Sequence, residues 1–169
     1  MSDKRISKHE YYLGIAKEVA QRSTCFRRLI GAIIIRDDQI ISTGYVGAPR
    51  KTKDSLEHGS CLRDKLKIPH GQRYELCRSV HAEQNAIINA ARAGVSLLGG
   101  DMYIYGSVYQ TGEPIDALPC FICKKMIINA GIRRVITSTA QGKMKIFFVS
   151  RWIKDWQEGD IIDDKQQYG

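Results

Sequence analysis

Two short runs constrain this chain more than anything else in it. One is His81-Ala82-Glu83, at the head of "HAEQNAIINAARAG"; the other is Pro119-Cys120-Phe121-Ile122-Cys123. Each opens a segment of helical periodicity and each follows a strand-like run. Cys120 and Cys123, at i and i+3, present two thiols on one side of a helical turn. Pro119 suits the start of that helix, where its missing N–H costs nothing. A helix N-terminus favours the thiolates that a metal needs. An imidazole from His81 and two thiolates make a three-ligand zinc site whose fourth position stays open to water, the pattern of catalytic and not of structural zinc. Glu83 points elsewhere on its helix, so it can stand beside the metal as an acid/base without ligating it.

Each element has an ordinary explanation when taken singly. A Cys-x-x-Cys pair is often a redox couple or half of a closed zinc site. A histidine at a helix start is often a cap or a satisfied core group. Found together, each at a helix start behind a strand, they point to one metal centre.

With those residues in view, the chain resembles the zinc-dependent cytidine/deoxycytidylate deaminase superfamily, whose signature is H-x-E with P-C-x-x-C. "TCFRRLIGAIIIRDDQIISTGYVGAPR" from Thr24 to Arg50, "RYELCRSVHAEQNAI" and "IINAGIRRVI" are similar to its deoxycytidylate (dCMP) deaminase branch. The likeness runs from about Ile6 to Trp156. It implies a three-layer α/β/α cytidine deaminase-like fold, with a mixed sheet of about five strands and helices on both faces. It implies conversion of dCMP to dUMP for thymidylate synthesis, with His81, Cys120 and Cys123 on zinc. Glu83 would carry protons between water, ring N3 and the leaving amine. It also implies a homo-oligomer, commonly a hexamer, activated by dCTP and inhibited by dTTP.

The resemblance assigns substrate contacts as well. Ala82 would meet the base through its backbone N–H. Tyr45, Val46 and Gly47, in the "GYVGAPR" loop from Gly44 to Arg50, would line sugar and base. An asparagine usually stands where this chain has Val46, and valine offers no side-chain hydrogen bond. Arg27 and Arg28 precede a strand; they are either a solvated basic pair or ligands of a 5′-phosphate, which guanidinium groups bind well. Tyr109 either stacks on the pyrimidine or sits as an ordinary surface tyrosine. Some dCMP deaminases carry a second, structural zinc, for which His58, Cys61 and Cys77, with Cys25 nearby, are the candidates. The alternative is buried thiols acting as small apolar groups.

The 169 residues fit one domain over 1–169, large enough for a real core. The net charge of +8, from 26 basic and 18 acidic residues, suits an anionic partner. No apolar run is long enough for a membrane span, and no signal peptide is visible. Five cysteines, two of them expected on a metal, indicate a reducing, cytoplasmic setting and not a disulfide framework.

Local patterns supply the elements. Ile6–Arg22 reads as an amphipathic helix with Tyr12, Ile15, Ala16, Val19 and Ala20 on one face. Ile30–Ile35 and Ile40–Thr43 flank Asp37-Asp38 as a hairpin. A long polar connection covers 47–80, with a short turn near Leu62–Leu66. The helix from His81 to Ala93 shows Ala86, Ile87, Ala90 and Ala91 at helical spacing and stops at Gly94. Asp101–Ser107 is a strand, and Val108–Leu118 a loop over the site. Cys120–Ala130 is the second metal helix, Arg133–Thr139 a strand, and Lys145–Gln157 a strand or turn entering a last helix. The tail, 158–169, is polar.

Other functions remain open at this stage. A tRNA or single-stranded nucleic-acid deaminase fits the charge, but the basic residues are scattered and no arginine-rich tail is present. Free deoxycytidine or dCTP would be variant substrates. A catalytically silent zinc module would have no need of a carboxylate at Glu83.

Overall fold

The computed structural model describes residues 5–69 and 71–159. His70 and most of the expected polar tail, 160–169, lie outside the described residues.

Five strands form one mixed sheet in the order β2-β1-β3-β4-β5: β1 (Arg28–Arg36), β2 (Gln39–Tyr45), β3 (Asp101–Val108), β4 (Arg134–Ser138) and β5 (Met144–Phe148). Only β3 and β4 run parallel, and α4 (Phe121–Asn129) lies in the connection between them. A parallel neighbour requires such a crossover, whereas the other pairs do not. The β1–β2 hairpin turns at Asp37-Asp38, both with positive φ, and pairs Arg36 with Gln39. Two left-handed residues make the tight turn whose twist matches that of the strands, and aspartate tolerates it.

Helix α1 (Lys8–Ala20) covers one face of the sheet. It starts at Ser7, whose hydroxyl accepts from the Glu10 N–H while the Glu10 carboxylate accepts from the Ser7 N–H, a complete capping box. Its Tyr12 and Ala16 pack with Ile33, Ile35, Tyr103 and Ile136. On the other face lie α3 (Ala82–Ala93), α4 and α5 (Val149–Glu158), over Ala32, Ile34, Met102, Ile104 and Val135. The three expected layers are present. In α3 the buried stripe is Ala82, Ala86 and Ala90, while Ala91, expected on that face, is exposed.

Two glycines set how closely the layers approach. A Cβ on Gly31 would collide with the backbone of α1 at Ala16 and Ala20. One on Gly44 would collide with α3 at Ala82 and Ala86, and stand 2.8 Å from the Asn85 carbonyl carbon. Polar ties reinforce this second contact. Ser42 Oγ donates to Ala86 O at 2.6 Å, and the amides of Asn85 and Asn89 donate to Tyr45 O and Thr43 O. The first turn of α3 is therefore held rigidly against β2.

The long connection is braced, not extended. It contains the short helix α2 (Leu62–Lys65), where the sequence predicts a turn, and a single 3₁₀ turn at Tyr74–Leu76. Gly47 and Val80 close it by exchanging backbone hydrogen bonds of 3.2 and 2.8 Å.

Candidate metal centre and active site

His81 and Cys120 occupy equivalent places, each the extended residue capping a helix start. Gln84 accepts from the His81 N–H at 3.1 Å, a local clasp that fixes the first turn of α3. Cys123 lies one turn into α4 and is fully buried. Contact between α3 and α4 brings the two motifs together: His81 Nδ1 is 3.5 Å from Cys120 Sγ and 3.4 Å from Cys123 Sγ. Zinc bonds of about 2.0–2.3 Å in a tetrahedron separate neighbouring ligand atoms by about 3.5 Å. The three atoms thus fit a tetrahedral ion with one corner left for a small ligand. Among the described residues no other group of three His, Cys, Asp or Glu side chains has this proximity.

The electrostatics match the geometry. Hydrogen bonding from the Cys123 thiol, and the nearby His81 ring, pull the Cys120 thiol down to about 4. The same hydrogen bond, with burial, pushes the Cys123 thiol up, because it is the donor. The pair holds a proton where a cation fits, and a metal would displace it. Glu83 is 5% exposed, and burial raises its carboxyl above the ordinary range, against the lowering effect of His81. A carboxyl raised in this way is suited to take up a proton and pass it to a reacting group.

His81, Glu83 and Cys120 face a cavity of about 120 Å³. Its floor includes His81, Ala82, Glu83 and Cys120; Ile30, Val46 and Ile104 are its apolar wall. Asp116, Ala117 and Leu118 enter from the loop between β3 and α4. Arg27, Arg28 and Arg63 supply positive charge, and Tyr74 stands edge-on to the His81 ring, centroids 5.5 Å apart at 89°.

The structure redistributes several expected substrate contacts. Arg27 lines the cavity but forms an ion pair with Asp64, while Arg28 lines it from the start of β1. Tyr45 and Gly47 do not line the cavity; the Tyr45 side chain is half exposed and its carbonyl is held by Asn85. Tyr109 also lies off the cavity, packed edge-on against Phe26. The second metal group is not assembled among the described residues: His58 is exposed, and Cys25, Cys61 and Cys77 line the cavity without forming a metal-sized cluster with it. Sequence reasoning missed Arg63, Tyr74 and Asp116. The turn at Leu62–Leu66 locates Arg63 in sequence, but no periodicity says that it faces inward.

Comparison with known proteins agrees with this geometry. The profile of the cytidine and deoxycytidylate deaminase zinc-binding region matches residues 6–139. The deoxycytidylate deaminase of Schizosaccharomyces pombe is 32% identical over 136 residues, 80% of this chain. The chain spans only 38% of that relative's length. The deoxycytidylate deaminase of Mycobacterium phage D29 is 35% identical over 133 residues, covering 75% of this chain and 91% of the relative. Among solved structures, the dCMP deaminase of cyanophage S-TIM5 in complex with dCMP and dUMP superposes with a TM-score of 0.57 at 26% identity, covering 80% of this chain and 85% of the other.

Proposed function

We propose that this chain, which belongs to the cytidine and deoxycytidylate deaminase zinc-binding family, hydrolyses dCMP to dUMP and ammonia. The observation that carries the reading is an imidazole nitrogen 3.4–3.5 Å from each of two thiol sulfurs, beside a buried carboxyl in an arginine-lined cavity. When held by His81, Cys120 and Cys123, zinc supplies the Lewis acidity that brings the pKa of water from 15.7 to about 7.

The chain's own groups do the rest. Glu83 takes a proton from the attacking water and delivers it to N3, which makes C4 electrophilic. Oxygen bonds to C4, Glu83 takes the remaining proton from that oxygen and passes it to the exocyclic amine, and the C4–N4 bond breaks to release ammonia and leave the C4 carbonyl. The raised pKa of Glu83 fits both receiving and giving that proton. Ala82 and Cys120 stand at helix starts, where backbone N–H groups have no partner within the helix. In this reading they donate to the base carbonyl and to the oxygen arriving at C4, respectively. Val46 contributes an apolar wall, so the sugar hydroxyl needs another partner.

The likeness to dCMP deaminases supports extending the proposal to a cytoplasmic homo-oligomer, a hexamer, activated by dCTP and inhibited by dTTP. No helix of the described residues is long and apolar enough to cross a membrane. The deciding experiment is a spectrophotometric panel of dCMP, CMP, deoxycytidine, dCTP and a tRNA, with zinc counted per chain. Preference for dCMP is expected; turnover of tRNA alone would overturn the substrate assignment. Sedimentation with and without dCTP tests the assembly.

A further inference from the structure

Arg63, on the short helix α2, is 5% exposed although it carries a permanent charge. Its Nη2 donates to Pro69 O at 3.0 Å, and its guanidinium lies 4.6 Å over the centre of the Tyr74 ring. Its Nε is buried without a hydrogen-bond partner. Burying an N–H unpaired is costly, so its retention in a cavity wall calls for a ligand. Arg63 lines the cavity that holds His81, Glu83 and Cys120, and Tyr74 links it to the His81 ring edge.

Neighbouring groups favour an anion as that ligand. Arg27 pairs with Asp64, the residue after Arg63, and so fixes α2 to the start of β1. Arg28 lines the same cavity. Of the carboxylates there, Asp116 is engaged by the Ala140 N–H at 3.1 Å. The cavity's charge is therefore positive on the side that Arg63 occupies. A planar guanidinium fixed by a carbonyl and an aromatic face is preorganised to donate to a phosphate oxygen.

We propose that Arg63 determines specificity: oriented by Pro69 and Tyr74, its Nε donates to a phosphate oxygen of the substrate, and the site thereby selects a pyrimidine nucleoside monophosphate over the nucleoside. The inference rests on the deaminase reading of this cavity and moves the phosphate contact from Arg27 to Arg63.

The zinc-loaded protein, as wild type, Arg63→Gln and Arg63→Lys, is assayed on dCMP and on deoxycytidine. Its Tm is also read with and without inorganic phosphate. Arg63→Gln should lower kcat/KM for dCMP about ten- to hundredfold, chiefly through KM, the usual effect of losing a charged hydrogen bond. Turnover of deoxycytidine should stay within about twofold, and the rise in Tm that phosphate gives the wild type should vanish. Equal losses on both substrates would overturn the proposal, as would a phosphate-induced rise in Tm as large as in wild type. Should Arg63→Gln fail to fold, Arg63→Lys decides: reduced dCMP preference supports the assignment, and unchanged preference with an unchanged phosphate response removes it. A wild type inert on both substrates sinks the deaminase reading instead, leaving the Tm response to judge Arg63 alone.

Discussion

Gly44 in β2 and Ala86 in α3 meet backbone to backbone, with no room for even a methyl group between them. That contact sets the depth at which α3 enters the sheet, and so where His81 and Glu83 emerge at its end. Gly31 makes the equivalent contact with α1 on the opposite face. Replacing Gly44 by Ala should destabilise the protein by about 2–4 kcal/mol, the cost of overpacking against backbone, and weaken zinc binding. Gly31→Ala should destabilise comparably and leave zinc affinity alone. Urea unfolding and competitive zinc titration of both variants check this; equal loss of zinc affinity would refute the positional link.

Glu83→Gln removes the carboxyl to which the proposed mechanism gives the proton transfers, and keeps the shape. The variant should retain zinc at the wild-type ratio and lose about 10²–10⁴-fold in kcat. Metal analysis and steady-state assay on dCMP test it. Unchanged turnover would remove Glu83 from the mechanism.

Cys123 is fully buried, and its thiol meets both Cys120 and His81. Cys123→Ser should abolish tight zinc binding and lower Tm. A strong chelator added to the wild type should give a similar Tm, because in both cases the ligand triangle has lost its ion. A variant that still binds one zinc per chain would contradict the ligand assignment.

Asp101 gives a pH prediction away from the site. Burial works to raise its carboxyl pKa, yet the guanidinium groups of Arg134 and Arg133, at 2.5 and 3.0 Å, outweigh that and hold it below the ordinary value of 3.8. A depressed folded pKa adds stability above the unfolded value, and that stability is lost as pH falls through the folded one. Asp101→Asn should therefore cost about 1–3 kcal/mol at pH 7, with the difference from wild type shrinking below about pH 4. Denaturant unfolding across pH 2–7 (on the order of six points) would show it. A difference independent of pH would mean that packing, not charge, is lost.

Much of this arrangement was legible before folding. The Asp37-Asp38 hairpin, the stop at Gly94, and the Cys120–Ala130 helix each rest on interactions within a few residues, and the structure places them within a residue or two of expectation. Tyr109 and Tyr45 show what such reading leaves open, since neither lines the cavity. Both stand beside the right segments, but whether a loop side chain turns towards the cavity depends on neighbours far away in sequence, here Phe26 for Tyr109.

By itself the sequence determined which side chains are offered to the candidate metal centre, because spacings of two and three residues at helix starts bind side-chain direction to the local backbone. Only the tertiary structure decided how the arginines lining the cavity are partnered. Arg27 and Arg28 are adjacent in sequence, yet Asp64, some 37 positions on, engages the first, while Arg63 swings inward over Tyr74. Charge pairing across a folded loop follows from distance in space, which no local pattern encodes.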